Sequence, residues 1–411
     1  MKRWVLFCIG SLLGLVIAAI VFIAALVSLV RPTPGGWSHA LRIGPWHGEV
    51  SVPAAMRMAT HPVVMRALQD RDWHTPQGTL RITPAAQPDS WTITCSDCRA
   101  AISGSDVLAL KRVVLMAHRH AQGEWRGEFA LGDDAHAVRG KFGFRFDDRG
   151  GELQLQLPDT PLADAYQLFR DVIPEVRHAQ IEGRLRLRAS VKLPQRDLVV
   201  EPFVDGFSVA GLGTEALLNA STACPAPKHG FGTWLPRAVI AAEDQRFQEH
   251  NGYDIREIGL ALSQRDLADG LPRGASTLTQ QVAKLVYTGD SRTHVRKLRE
   301  LLYAVELDRT LGKARVLNLY LSMAPWGQGL CGAAAASQHY LHKRVDKLTP
   351  MEAAWLASLL HNPERDVAAM ARTGQVDVKR VAWVIDNLRP LKAAQREALV
   401  EALPAWKPAS P

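Results

Sequence analysis

Two adjacent carboxylates stand at the end of an apolar run in the second half of the chain. Residues 241–252 read AAEDQRFQEHNG, so Glu243 and Asp244 lie within a few positions of Phe247 and His250. On a helix, Glu243 and Phe247 share one face because they are four residues apart. A positioned carboxylate can act as a general base. The same pattern is also typical of a charged helix end that faces water, and the stretch alone fits both interpretations.

A second polar stretch, RGASTLTQQVAK over residues 273–284, carries the signals of a helix start. Thr277 and Gln280 have the spacing of a capping box, which predicts a helix beginning there. Small and hydroxylated residues before a helix N-terminus leave backbone N–H groups pointing outward, where they can bind an anion. Gln280 and Lys284 then lie on one face. A plain helix cap explains Thr277 and Gln280 but not the density of polar side chains.

A third stretch, HVRKLRE over residues 294–300, places two of its cations about one helical turn before a carboxylate. Arg296 and Lys297 precede Glu300 by four and three residues, so the three side chains converge on one face of a helix. Taken alone, this group is explained as well by a surface salt bridge as by a binding site.

Helices must position these residues. From about Trp234 onward, apolar residues recur at three- and four-residue spacing, which predicts a mostly α domain. The predicted helices cover residues 235–243, 255–267, 277–287, 294–311, 314–322, 350–360 and 376–403.

The preceding part of the chain has a different period. Apolar and polar residues alternate over residues 37–222, which predicts an antiparallel, β-rich domain. Its clearest alternating stretches are residues 78–83, 91–94, 141–146, 152–157 and 184–188, and a helix is expected near 161–172. The histidines here are separated by strand and turn residues, which favours scattered surface residues over a metal site. They are His118, His120 and His136.

The N-terminus predicts a membrane anchor. Residues 4–30 carry no charge, and about 20 helical residues suffice to cross a bilayer. A cleaved signal peptide is the alternative, although its apolar core is shorter. Lys2 and Arg3 favour a cytoplasmic N-terminus. We therefore expect a cytoplasmic stub and transmembrane helix over residues 1–31, a single-pass inner-membrane location, lipid contacts through residues 4–30 and a periplasmic bulk.

Charge narrows the class of partner. The chain of 411 residues has 49 Lys and Arg against 41 Asp and Glu, a net charge of +8 that suits anionic partners such as lipid head groups or pyrophosphates. There is no zinc-finger spacing, no aromatic RNA-binding signature and no basic tail, so nucleic acid is not expected.

Four cysteines outside the apolar N-terminus divide into two kinds. Cys95 and Cys98 form a CxxC pair, for which a local disulfide is favoured over half a zinc site because no second pair follows. Cys224 and Cys331 are predicted to be unpaired.

Five motifs in order resemble the glycosyltransferase family 51 domain of the peptidoglycan glycosyltransferases. They are EDQRFQEHNG, GASTLTQQVAK, RKLRE, KARVLNLYLS and WGQGLCGAAAASQHYL, within about residues 229–365. The sequence around Trp326 is similar to that of the monofunctional biosynthetic type, and no transpeptidase motif set follows. The expected fold class is α+β multidomain: an N-terminal transmembrane helix, the β-rich antiparallel domain, then a mostly α, lysozyme-like glycosyltransferase domain over residues 229–403.

The resemblance implies an enzyme that polymerises lipid II into glycan chains and releases undecaprenyl pyrophosphate. Glu243 would be the general base, and Glu300 a second carboxylate near the leaving pyrophosphate or a metal ion. A divalent cation, Mg²⁺, is expected by resemblance alone. The remaining motif residues are expected to bind or frame the substrate: Asp244, Phe247, His250, Ser276, Thr277, Gln280, Gln281, Lys284, Arg296 and Lys297.

Two positions depart from the family pattern, since Leu285 and Ser322 stand where asparagine is usual. They leave open a weakened domain that binds lipid II as an envelope scaffold. A muramidase is a third hypothesis, because paired carboxylates also catalyse glycoside hydrolysis. A hydrolase, however, needs no cationic site for a pyrophosphate. The β-rich domain is expected to bind an envelope protein.

Overall fold

A computed structural model describes residues 32–43, 46–103, 106–121, 123–220, 224, 226–263, 276–291, 293–327 and 329–408. The chain divides into two compact units. Of the described residues, the first unit draws on those within 32–99, 109–160 and 186–201, and the second on those within 100–108, 161–185 and 202–408. The second unit therefore includes residues 100–108 and 161–185, and its third segment also begins, at residue 202, before the predicted glycosyltransferase domain.

The alternating sequence forms antiparallel strands. β1 (Ser38–Ile43) and β2 (Trp46–Ser51) pair as a hairpin. The other strands form a nine-stranded sheet whose order follows the chain. They are β3 (Asp72–Thr75), β4 (Gly78–Pro84), β5 (Ser90–Ser103), β6 (Asp106–Ala121), β7 (Glu124–Leu131), β8 (Val138–Phe146), β9 (Gly151–Pro161), β10 (Gln180–Leu193) and β11 (Asp197–Ala210). The predicted β-rich antiparallel region is confirmed.

Aromatic residues build the core of the first unit. In the β7–β8 register Trp125 lies opposite Phe144, and the Trp91 ring lies 5.9 Å from that of Trp125. Met65 packs against this cluster from α2 (Pro62–Leu68), which follows α1 (Val52–Ala59).

The second unit is mostly helical, as the three- and four-residue period predicts. Its helices are α3 (Leu162–Gln167), α4 (Trp234–Glu243), α5 (Ile255–Leu262), α6 (Leu278–Ala283), α7 (His294–Met323), α8 (Gly332–Leu341), α9 (Pro350–Ser358), α10 (Pro363–Thr373), α11 (Val378–Asn387) and α12 (Ala393–Ala402). A π-helical turn, Lys284–Thr288, follows α6, and short 3₁₀ turns include Pro174–Arg177.

The longest helix is interrupted. Gly312 inside α7 has φ 69°, a left-handed conformation that glycine adopts without steric cost. The sequence predicted two helices, 294–311 and 314–322, and the kink at Gly312 falls between them. The first half of α7 carries the HVRKLRE motif.

The transmembrane part of the expected fold class and the single-pass inner-membrane location are corrected. Across the described ranges, no helix combines the length and the apolar character needed to cross a bilayer. Residues 4–30, on which the expectation rested, lie outside the described residues. The architecture is therefore a β-rich antiparallel part followed by a helical part.

The cysteine pairing is also partly corrected. Cys95 and Cys98 form the predicted local disulfide. Cys224 and Cys331 are joined as well, so the prediction that they are unpaired is wrong. Their Cα atoms lie 5.8 Å apart, within the range that a disulfide spans. They are 107 residues apart in the chain, and a spacing rule finds only local pairs.

Candidate active site

Glu243 ends α4 with its side chain only 13% exposed. Its Oε2 accepts a hydrogen bond of 2.9 Å from Nε2 of Gln281 on α6. Its Oε1 is buried and accepts no hydrogen bond from any described residue, although Nη2 of Arg380 lies 3.6 Å away. One carboxylate oxygen is thus held by a hydrogen bond, whereas the other has, among the described residues, only the ion pair with Arg380.

The surroundings of Glu243 make it a stronger base. Burial raises the pKa of Glu243, while the Gln281 hydrogen bond and the charge of Arg380 oppose that rise. Burial disfavours the charged form of a carboxyl group, so its ionised form binds a proton more readily than an exposed carboxylate does. A general base needs this property.

Asp244, next to Glu243, is committed to the protein interior. Its oxygens lie 2.9 and 3.1 Å from Nε2 of His250, and Oδ2 also accepts a 2.9 Å bond from the backbone N–H of Leu278. The His250 ring packs edge-on against Phe247, which is fully buried. These three predicted substrate-binding residues therefore hold the turn after α4 in place.

The capping box predicted for α6 is present. The Thr277 hydroxyl accepts from the Gln280 N–H at 3.1 Å, and the Gln280 side chain accepts from the Thr277 N–H at 3.0 Å. Thr277 also donates to the carbonyl of Gly252 at 2.6 Å. Together with the bond from Leu278 to Asp244, these bonds use polar groups at the start of α6 for contacts within the protein. They leave Thr277 and Gln280 buried rather than facing a groove.

The second carboxylate lies among cations on α7. Glu300 is buried, with Oε1 in contact with Nη1 of Arg296 and Oε2 2.9 Å from Nζ of Lys297. Lys297 also donates to the hydroxyl of Ser276. The HVRKLRE motif thus forms a partly buried charged group, and a surface salt bridge does not describe it.

Lys284 adds a third cation. It begins the π-helical turn, is 41% exposed and pairs with the exposed Asp290 at 2.6 Å. Burial, together with the charges of Arg296 and Lys284, lowers the pKa of Lys297 to about 8. The three cations therefore repel one another, as expected of groups arranged for an anionic ligand.

Helix α6 connects the two carboxylates. Gln281, in its middle, bonds to Glu243, while Ser276, just before it, bonds to Lys297 beside Glu300. Glycine and alanine at 274–275 lie outside the described residues. A base and a cationic cluster are thus attached to a single six-residue helix.

Arg380, on α11, was not singled out by its sequence. It is 9% exposed, donates to the carbonyl of Ala242 at 3.2 Å and lies over the Trp383 ring at 4.7 Å. Its position among Val381, Val384 and Ile385 on the buried face of α11 was an available signal. A charged residue on an apolar face needs a partner.

Lys313 was also missed as a supporting residue. Its Nζ donates to the carbonyl of His250, pairs with Asp308 at 2.7 Å and lies 4.7 Å from the centre of the Phe247 ring. Lys313 thereby stabilises the turn that contains Phe247 and His250.

The two departures from the family pattern differ in their surroundings. Leu285 is 39% exposed on the π-helical turn. Ser322 is buried and donates to the carbonyl of Asn318 at 2.8 Å within its own helix. Neither side chain is among the contacts of Glu243 or Glu300 described above.

The chain is similar in sequence to known proteins. A sequence model of the transglycosylase family matches residues 219–389. The biosynthetic peptidoglycan transglycosylase of Citrobacter koseri is 43% identical over 232 residues, which cover 56% of this chain and 93% of that protein. The one from Marinomonas sp. is 41% identical over 173 residues, 41% of this chain and 74% of the relative.

Coverage differs between relatives. The Klebsiella oxytoca biosynthetic peptidoglycan transglycosylase is 43% identical over 158 residues, and this chain spans 64% of its length. The Citrobacter koseri protein is matched over nearly its whole length at 43% identity, well above what chance similarity gives. The chain therefore belongs to the transglycosylase family, that of the biosynthetic peptidoglycan transglycosylases.

Proposed function

We propose that the chain polymerises lipid II into glycan strands and releases undecaprenyl pyrophosphate. The observation that carries the proposal is the pairing of a buried carboxylate, whose Oε1 has no hydrogen-bond donor among the described residues, with a three-cation cluster through α6. A proton acceptor and a grip for a departing diphosphate are the two functions that this transfer needs.

In the proposed step, Glu243 Oε1 takes the proton of the acceptor sugar's 4-hydroxyl as its oxygen attacks the anomeric carbon of the donor. The bond from that carbon to the pyrophosphate oxygen breaks, and the electron pair leaves with undecaprenyl pyrophosphate. Gln281 holds Oε2, so that Oε1 points to one place. Lys284, Arg296 and Lys297 would bind the pyrophosphate, with arginine able to contact two oxygens at once.

Glu300 is best placed to organise the cations. Both of its oxygens are in contact with Arg296 or Lys297. One buried carboxylate between two cations lowers their repulsion while leaving a net positive charge for the ligand. We propose that Glu300 acts through these contacts.

The expected divalent cation stays a proposal. Both Glu300 oxygens are engaged by cations, and the described residues contain no group of three potential metal ligands. The residues around Glu300 therefore do not fit an open metal site, and no step is derived through one. Polymerisation with and without EDTA measures whether Mg²⁺ is needed.

The proposed function is tested with purified full-length chain and labelled lipid II. We expect polymer that grows with time and is digested by a muramidase. Binding of lipid II without polymer would instead identify the scaffold that Leu285 and Ser322 leave open. Release of soluble muropeptides from sacculi would identify a hydrolase.

A further inference from the structure

Residues 161–185, which we call the docking segment, precede the family match but belong to the helical unit. The match covers residues 219–389, whereas contacts group the docking segment with residues 202–411. It contains α3 and the 3₁₀ turn Pro174–Arg177. It contacts the first half of α7, which carries two of the three proposed pyrophosphate-binding cations, Arg296 and Lys297.

Glu175 in this segment makes the most specific contact. Arg299 donates to it through Nε at 2.9 and 3.0 Å and through Nη2 at 2.6 Å, which engages both carboxylate oxygens. The Tyr303 hydroxyl donates to the same carboxylate at 3.2 Å. The Glu175 side chain is only 5% exposed. The two-pronged ion pair fixes the orientation of both partners, although the Arg299 side chain is 29% exposed.

Further contacts fix the same helix. The Tyr166 hydroxyl donates to the carbonyl of Leu298 at 3.3 Å. Apolar side chains of the docking segment and of α7 share one buried cluster, which includes Ile173, Val176, Val295 and Leu302. The docking segment therefore contacts this half of α7 through polar and apolar side chains at several positions along the helix.

The contact of Glu175 extends to the third cation. Tyr303 stacks face to face on Tyr287, with ring centres 4.2 Å apart and planes 5° apart. Tyr287 lies in the π-helical turn that begins with Lys284. The two partners of Glu175 thus belong to α7, which carries Arg296 and Lys297, and pack against the turn that carries Lys284.

We propose that Glu175 is a positioning residue for substrate binding: it orients α7 and the π-helical turn so that Arg296, Lys297 and Lys284 together grip the pyrophosphate of the lipid-linked donor. The inference rests on the proposed function. It makes the docking segment, outside the family match, a working part of the glycosyltransferase site. The Glu175–Arg299 ion pair contacts none of the reacting atoms of the proposed step. We therefore expect its loss to weaken binding of the diphosphate.

The test compares full-length wild type with Glu175→Gln, which keeps the shape and removes the charge. We expect the KM for lipid II to rise about tenfold with kcat within about twofold, the pattern of lost uniform binding. The affinity for inorganic pyrophosphate, measured by calorimetry, should fall by a similar factor. Tyr303→Phe keeps the stack on Tyr287 and removes one bond to Glu175, so a smaller change in the same direction is expected.

The matched control is Asp346→Asn, which breaks an ion pair to Arg344 of 2.9 Å elsewhere in the same unit. It should leave both constants unchanged. Wild-type KM and pyrophosphate affinity in Glu175→Gln would overturn the inference. The inference would also be overturned if Glu175→Gln lost activity only in proportion to the unfolded fraction of the protein. In that case the folded fraction would bind pyrophosphate with wild-type affinity. A wild-type chain that makes no polymer would instead overturn the proposed function.

Discussion

The ionisation of Glu243 sets how the rate should depend on pH. Burial raises its pKa, so the ionised, proton-accepting form is lost as pH falls through that raised value. The Gln281 hydrogen bond opposes the rise. Gln281→Ala should therefore raise the pKa further and move the acid limb of kcat to higher pH.

Profiles at saturating lipid II measure this shift. Gln248→Ala changes an exposed glutamine in the same motif as Glu243 and serves as the control. An acid limb that stays in place, or moves to lower pH, in Gln281→Ala would show that this bond does not tune the base.

Lys297 sets a second limit at alkaline pH. Its pKa is lowered to about 8, so its charge is present below that pH and is lost above it. The affinity for inorganic pyrophosphate should weaken as pH rises past about 8 in the wild type. Lys297→Arg should remove this dependence, since arginine stays charged. Calorimetric titrations at several pH values test it, and the same alkaline decline in both proteins would contradict it.

Helix α6 is the element on which the site depends most. Thr277→Ala removes its N-cap, and the expected cost is about 1 kcal/mol of folding stability. Because α6 holds Gln281 against Glu243, kcat should fall about tenfold as well.

The chain offers a matched control for this prediction. Thr349 caps α9 with the same reciprocal capping box as Thr277 caps α6. Thr349→Ala should lose similar stability and keep wild-type kcat. Equal losses of kcat in the two variants would mean that stability alone, rather than the position of α6, controls the rate.

At the scale of the whole molecule, the two disulfides differ in what they constrain. Cys224 and Cys331 are 107 residues apart, whereas Cys95 and Cys98 are three apart. A long closed loop costs the unfolded chain more entropy, so Cys331→Ser should lower stability by about 2–4 kcal/mol. Cys95→Ser should cost less. Thermal unfolding of both variants under oxidising conditions measures the difference, and the reverse order would contradict it.

Interactions between residues close together in the sequence could be predicted, whereas those between distant residues could not. The capping box at Thr277 and the contact of Arg296 with Glu300 involve residues three or four apart, and both were predicted. Arg380 reaches the carbonyl of Ala242 138 residues away, and Arg299 reaches Glu175 124 residues away. No local period or motif marks such pairs.

The β-rich and helical parts were predictable because hydrophobic periods are local. The boundary of the helical unit was not visible, since residues 161–185 pack on a helix that begins at His294. The predicted anion site at the start of α6 illustrates a different reason. The Gln280 N–H is used by Thr277, as the capping box predicts, but the Leu278 N–H is used by Asp244, 34 residues away, which only the folded chain reveals.

The central claim is that Glu243 takes the acceptor proton while separate residues bind the pyrophosphate. It is tested most directly by measuring lipid II polymerisation and pyrophosphate binding together in Glu243→Gln, with the exposed neighbour Glu249→Gln as control. Glu243→Gln should lose about 10²–10⁴-fold in polymerisation rate at unchanged pyrophosphate affinity, and Glu249→Gln should resemble the wild type. A Glu243→Gln protein that polymerises lipid II at the wild-type rate would contradict it.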